Sequence, residues 1–329
     1  MKRTLGTRPV NPIGLGCMNI CWAYAAPPPR EAGLALLNQA LDLGYDHLDT
    51  ARIYGAGVSE AMIGEALAGR RRKFYLASKT GLYADGQRRW IDARPETLIA
   101  SCEDSLRALR TDHIDLYYLH RRDFAVPIED WAGAMGQLVQ AGKIGGYGLS
   151  EMSMDTLRRA HAVHPVTAVQ LEYSPWTRNP EIASLAGTAE MGIALVAFSP
   201  VGRGFLADPA IDPAGFGAQD IRRAMPRFQD ENWLANQPLA VQFAALAAGA
   251  GVTPAQLALG WVLSRGDHVH AIPGTTNPAH LAENIARADW RPDAALVAAV
   301  DALINRQSVQ GPRYNKAMQA TIDSEEFAD

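Results

Sequence analysis

Cysteine is scarce in this chain, three in 329 residues, too few for a disulfide scaffold and in keeping with a reducing compartment. Metal-ligand pairing is missing as well. Cys17 and Cys21 stand four apart and His161 and His164 three apart, but neither couple has a second Cys or His pair to complete a zinc set. Positive charge is not in excess: 31 Lys and Arg face 35 Asp and Glu, a net charge of −4, so the basic face that nucleic acid requires is absent. Long apolar runs are absent too. The most apolar window, Leu239 to Leu263, is broken by Gln242, Gly249, Gly251, Thr253, Pro254 and Gln256, and reads as two amphipathic helices instead of a membrane span. The opening Met1-Lys2-Arg3-Thr4-Leu5-Gly6 is basic but runs into Pro9 and Pro12 without an apolar core, unlike a secretory signal. The expectation is a globular, cytoplasmic protein that acts on a small molecule and binds neither nucleic acid nor membrane; oligomeric state leaves no mark on the sequence.

A glycine fingerprint is missing in turn. A doubly wound dinucleotide-binding sheet would carry G-x-G-x-x-G after its first strand, whereas Gly14-Leu15-Gly16 has Asn19 in the third position and Gly202-Arg203-Gly204 has no third glycine. What is present is a repeated alternation. Short apolar stretches at 13–16, 46–49, 74–79, 114–120, 145–150, 168–172, 194–199 and 270–274 are nearly all separated by helical patterns. Leu34, Leu37 and Leu41 form one stripe that Gly44 closes, and a second helix is expected at 58–68. Pro95 opens a helix with the stripe Leu98, Cys102, Leu106 and Leu109, followed by helices at 127–141, 153–163 and 180–190. With no composition shift to mark a boundary, the pattern predicts one (β/α)8 barrel domain over 1–329, with extra helices between strands seven and eight and at the C-terminus, and a tail from about 308.

Barrels build their sites at the carboxyl ends of the strands. Three successive strands here end in Asp49, Lys79 and His120, and Tyr54 follows the first of them by five residues. Singly, each has a plain reading: Asp49 a cap, Lys79 a solvated strand end, His120 a core histidine, Tyr54 packing. Jointly, on adjacent strands at one end, they read as a site. A tyrosine has a pKa of about 10, higher when buried, so it needs a cation beside it to serve as an acid/base near neutrality. Lys79 is that cation, Asp49 keeps it charged and oriented, and His120 donates a hydrogen bond to the oxygen that Tyr54 protonates. Such a site suits a carbonyl whose carbon takes hydride.

These stretches resemble the aldo-keto reductase family over nearly the whole chain. The resemblance rests on Gly44 through Ala51 with Tyr54-Gly55, on Ala77-Ser78-Lys79, on Ile114 through His120, on Gly142-Lys143-Ile144 and on Ile272-Pro273-Gly274-Thr275. It implies a (β/α)8 barrel, an NAD(P)H-dependent oxidoreductase acting on aldehydes, ketones or the corresponding alcohols, and a catalytic tetrad of Asp49, Tyr54, Lys79 and His120. By the same resemblance, Ser150 and Gln170 hold the nicotinamide carboxamide, Phe198 stacks on the ring, and Ser199, Val201, Gly202 and Arg203 line the pyrophosphate. Thr275, Thr276, His280, Glu283 and Asn284 surround the adenosine end. The chain departs from the family pattern at Glu151, where asparagine is more usual, at Phe198, where tyrosine is commoner, and in the last loop, which lacks the Lys or Arg that often grips a 2′-phosphate. NADP(H) is favoured and NAD(H) stays open.

Trp22, Tyr24, Tyr83, Trp90, Arg121 and Trp176 lie on loops at the same end and form a candidate substrate wall. The tail around Gly311-Pro312-Arg313-Tyr314 is expected to fold over the mouth. Two rivals stand: a non-catalytic nicotinamide-binding subunit on the same fold, and a Schiff-base lyase using Lys79, which a charged lysine disfavours.

Overall fold

The computed structural model describes residues 1–329 except 25, 87, 208–210, 328 and 329. A hairpin comes first, β1 (Arg3–Leu5) paired antiparallel with β2 (Arg8–Val10). Then come β3 (Leu15–Gly16), α1 (Arg30–Asp42), β4 (His47–Asp49), α2 (Val58–Leu67), β5 (Tyr75–Thr80), a second hairpin of β6 (Leu82–Asp85) and β7 (Arg88–Ile91), α3 (Pro95–Ala108), β8 (Leu116–Leu119) and α4 (Ile128–Gln140). The second half runs β9 (Tyr147–Ser150), α5 (Met154–Val163), β10 (Val166–Glu172), α6 (Ser184–Glu190), β11 (Ala194–Phe198), α7 (Asp230–Gly249), α8 (Pro254–Leu263), β12 (Val269–Ile272), α9 (Pro278–Ala286), α10 (Ala294–Leu303) and α11 (Lys316–Gln319).

Eight strands form one parallel sheet in the order β3-β4-β5-β8-β9-β10-β11-β12. Gly14 N donates to Ala271 O at 2.8 Å and Gly16 N to Pro273 O at 3.1 Å, joining the last strand to the first and making the expected (β/α)8 barrel. Both faces of each strand are covered, which is why β5 and β8 are buried throughout and read as apolar runs. Inside, Tyr75, Ala77, Leu116, Tyr118, Ala168, Ala194, Val196 and Ile272 pack together, and Leu5 and Val10 of the first hairpin close the floor beneath them. Residues between these, such as Leu76 and Leu119, point outward to the helices.

Three elements differ from the sequence reading. The buried face of α1 is Gly33, Leu36, Leu37 and Ala40, with Leu34 and Leu41 at its edges. The small residues decide this, because a Cβ at Gly33 would sit 2.4 Å from the Met62 methyl carbon of α2. The helix expected at 180–190 is a 3-10 turn at Asn179–Glu181 followed by α6. The 239–263 window does hold two helices, but α8 is not amphipathic: every residue but Gln256 is buried, since it packs against β12, α7 and α9. Among the described residues no single helix is long and apolar enough to cross a membrane, and α7 and α8 meet at a bend of 84°.

Candidate active site

The strand ends converge as barrel geometry requires. Asp49 closes β4, Lys79 lies near the end of β5, His120 follows β8, Ser150 closes β9, Gln170 sits in β10 and Phe198 closes β11. Lys79 Nζ is ion-paired with Asp49 Oδ1 and donates to Thr50 O at 2.8 Å, while Gln170 Nε2 donates to Asp49 Oδ2 at 2.7 Å. After Asp49 the chain must turn sharply to present Tyr54. Directly beyond Tyr54 the backbone is left-handed at Gly55, Ala56 and Gly57 as it enters α2, and a Cβ at Gly57 would lie 2.0 Å from Arg52 Nη1. Lys79 Nζ then lies 5.2 Å from the Tyr54 ring centroid, and the Tyr54 and His120 rings meet edge to face at 6.0 Å and 83°.

Burial dominates the electrostatics. It pushes the Asp49 carboxyl up, opposed by Lys79 and Gln170. It works to discharge Lys79 as well, but the Asp49 charge and hydrogen bonds to Asp49 and Tyr54 outweigh it and hold the amine above its ordinary value. The Tyr54 hydroxyl is raised by burial, with Lys79 and, more weakly, Arg121 pulling the other way. Burial, then the charges of Arg121 and Lys79, drive His120 well below its usual range, so its imidazole is neutral. His120 Nδ1 is buried with no hydrogen-bond partner among the described residues.

A cavity of about 590 Å³ opens above these groups. It is lined by Asp49, Tyr54 and His120, with Lys79 fully buried beneath, and by Ser150, Gln170, Phe198, Ser199, Val201, Arg203, Thr275, Thr276, His280, Glu283 and Asn284. Of the expected substrate wall, Trp22, Tyr24 and Arg121 face it. Four expected residues do not. Gly202 is buried behind its loop, and Trp176 is buried in a stack with Phe205, centroids 3.9 Å apart and planes at 13°. Tyr83 and Trp90 are directly opposite on the second hairpin and stack on each other at 5.7 Å. Because directly paired residues share a face and the next pair takes the other, Leu82 and Arg89 are the ones turned to the cavity. Reading this segment as loop concealed that alternation, although Asp85-Gly86 is a turn signal. Sequence reasoning also missed Met18, Ile221, Arg222 and Met225, which reach the lining from irregular segments without periodicity. The tail supplies Tyr314 and Met318.

Two calls on individual residues are refined by their partners. Arg203, in left-handed conformation, gives its guanidinium to Glu172 at 3.2 and 2.6 Å and to the Tyr314 hydroxyl at 2.8 Å. Burial presses the Glu172 carboxyl up, yet Arg203 and Arg313 hold it below the usual carboxylate range. Glu151 turns away from the cavity: it accepts Glu172 N at 2.9 Å and pairs with Arg313 at 2.8 Å, so this departure from the family pattern serves to fasten the tail. Glu151, Ser199 and Arg203 are all non-glycine residues at positive φ, following strand ends at the mouth, where strain collects at functional sites.

The cavity suits an extended dinucleotide. Gln170 keeps its carbonyl oxygen and Ser150 its hydroxyl for an amide, Phe198 offers a ring, and the N-terminus of α9 stands at the far rim with Thr275, Thr276, Asn277 and His280. Backbone runs close there, since a Cβ on Gly274 would meet Gly16 O at 3.0 Å.

Comparison with known proteins agrees. The sequence model of the aldo/keto reductase family matches residues 12–305. A probable aldo-keto reductase of Glycine max is 41% identical over 285 residues, 85% of this chain and 82% of that one. The structure of a glycerol dehydrogenase from Gluconobacter oxydans is similar with a TM-score of 0.86 at 28% identity, covering 94% of this chain and 97% of that chain. An aldo-keto reductase from Klebsiella pneumoniae in complex with NADPH gives 0.73 at 27%, covering 96% and 99%. The match runs from the first barrel strand to beyond the last, and the chain belongs to the aldo/keto reductase family.

Proposed function

We propose that this chain works as a single barrel domain that interconverts an aldehyde or ketone and its alcohol with NADP(H), Tyr54 being the general acid/base. The observation that carries the reading is the buried Asp49–Lys79 pair set beneath the Tyr54 ring, with neutral His120 against its edge. Burial alone would make the Tyr54 proton too hard to give up; a lysine fixed in its charged form stabilises the phenolate and so brings the hydroxyl toward working range. Asp49 fixes that charge, and Gln170 fixes Asp49. His120, kept toward its neutral form by burial and the charges of Arg121 and Lys79, can donate a hydrogen bond to a carbonyl oxygen without competing to protonate it. The bound nicotinamide supplies or accepts the hydride. Ser150 and the Gln170 oxygen would hold its amide, and Phe198 its ring.

The same Lys79 geometry argues against a Schiff base, because a paired ammonium is a poor nucleophile. For the 2′-phosphate, Thr275, Thr276, Asn277, His280 and the α9 N-terminus are the donors, while Arg203 is already engaged by Glu172. Such a donor set favours NADP(H) modestly and leaves NAD(H) usable. The similarity to an NADPH complex and to an enzyme named a glycerol dehydrogenase supports both the cofactor and the alcohol side of the reaction. The test is Tyr54→Phe. Carbonyl reduction followed at 340 nm should fall by ~10²–10⁴, with NADPH affinity within a few-fold of wild type; undiminished turnover would refute the assignment.

A further inference from the structure

Four arginines line the cavity, Arg89, Arg121, Arg203 and Arg222. Two are neutralised in place: Arg203 by Glu172 and Arg222 by Asp220, each at 2.6 Å from a buried carboxylate. The other two are different. Arg121 Nη1 donates to His120 O at 2.6 Å and Ser150 Oγ at 3.4 Å, which leaves Nε and Nη2 unengaged by the described residues. Arg89 lies over the Trp22 ring at 4.8 Å, and among the described residues neither it nor Arg121 has a carboxylate partner. Both sit on the reacting side. Arg121 follows His120 at the end of β8, beside the Ser150 proposed for the nicotinamide amide, and Arg89 is carried by the hairpin after β5, whereas the segments proposed for the pyrophosphate and adenosine follow β11 and β12, across the barrel in the strand order. The charge of Arg121 is felt at both Tyr54 and His120.

We propose that the carbonyl substrate carries an anionic oxyacid group, a carboxylate or a phosphate, and that Arg121 and Arg89 are the residues that select it. The inference rests on the carbonyl-reducing reading above. Guanidinium forks match the paired oxygens of either anion. Arg121, half-buried in a cavity that Ile53 and Leu82 also line, and Arg89, exposed at its rim over Trp22, are recognition elements for a charge that arrives with the ligand. A substrate with its carbonyl at Tyr54 and its anion toward these arginines is held at two points, which orients it for transfer.

The test compares 4-carboxybenzaldehyde, 4-formylphenyl phosphate and the neutral isostere 4-formylbenzamide with NADPH, in wild type, Arg121→Gln, Arg89→Gln and Arg121→Lys. The readout is the ratio of kcat/KM for anionic over neutral aldehyde, which cancels any effect of Arg121 on Tyr54 and His120. Wild type should prefer an anionic aldehyde by about tenfold or more, each Gln variant should lose most of that preference, and Arg121→Lys should retain a good part of it. The larger of the two anionic ratios identifies the oxyacid. A wild-type ratio near one, or a ratio that both Gln variants leave untouched, overturns the proposal. Calorimetric binding of the same three compounds in the presence of NADP⁺ gives the ratio without turnover. Absence of reduction with all three aldehydes would therefore count against the carbonyl-reducing reading, while the binding ratio still decides the anion site.

Discussion

Replacing Lys79 by methionine separates what the buried ion pair does for the fold from what it does for the reaction. Lys79 is fully buried and Asp49 nearly so, and the substitution leaves Asp49 with only the Gln170 amide at 2.7 Å. Removing one partner of a buried pair costs ~3–5 kcal/mol, because the other charge is stranded. The signs follow from the shifts. In the wild type the Lys79 pKa is raised, so its contribution is present below the ordinary lysine range and lost only as pH rises through the elevated value. In the variant, burial raises the Asp49 carboxyl without opposition from Lys79. The Asp49 contribution should therefore be fully present below the ordinary carboxylate range and be lost as pH rises through its elevated value. Thermal unfolding of Lys79→Met and wild type should thus diverge from pH 5 to pH 8, by on the order of 5–10 °C at the upper end. Asp49→Asn added to Lys79→Met replaces the stranded charge with a neutral amide and should recover most of the loss, while neither variant reduces aldehydes. A variant as stable as wild type at pH 8, or a second substitution that recovers nothing, would show that the pair is not the charge-compensated unit described.

The remaining predictions concern the cofactor end and the aromatic residues. His280→Ala should weaken NADPH binding several-fold in a fluorescence titration and leave NADH binding unchanged; equal effects on both would take His280 away from the 2′-phosphate. Trp176→Ala should destabilise the fold by ~3–5 kcal/mol, measured by denaturant unfolding, with little change in substrate preference. Trp22→Ala should do the reverse, altering kcat/KM between small and bulky aldehydes, and a uniform loss across substrates would identify Trp22 as a loop anchor.

The barrel was legible because its strands are buried on both faces and so appear as apolar runs, and because the catalytic-end residues terminate those runs. Asp49, Lys79 and His120 could be placed at one mouth from that alone. What stayed hidden depends on facing. Tyr83 and Trp90 are prominent aromatics, but a hairpin of period two turns them away and presents Leu82 and Arg89. Trp176 is the same kind of error, since an aromatic on a mouth segment reads identically whether it lines the cavity or stacks under it on Phe205. Gln170 was read as a cofactor contact, and its amide nitrogen proves to hold Asp49, a partner 121 residues away that no local pattern announces. Arg222 and Met225 come from the irregular stretch before α7, and Glu151 meets Arg313 across 162 residues.

That last contact has a consequence for how the protein is made. Glu151 and Glu172 sit at the ends of β9 and β10, both buried, and Arg313 reaches both, at 2.8 and 3.8 Å. Asp323 further along pairs with Arg122, and the Glu325 carboxylate takes Met154 N and the Ser184 hydroxyl. On the ribosome the eight barrel strands emerge before Arg313, Asp323 and Glu325, so during synthesis the two glutamates wait without the cation from the tail. A message cut short or a ribosome stalled after α10 releases a chain with every barrel strand and with Asp49, Tyr54, Lys79 and His120, but with Glu151 lacking its counter-charge and the cavity lacking Tyr314. Such a chain would hold a buried carboxylate without its ion-pair partner, so the last residues to be made are part of what settles the charge balance at the barrel mouth.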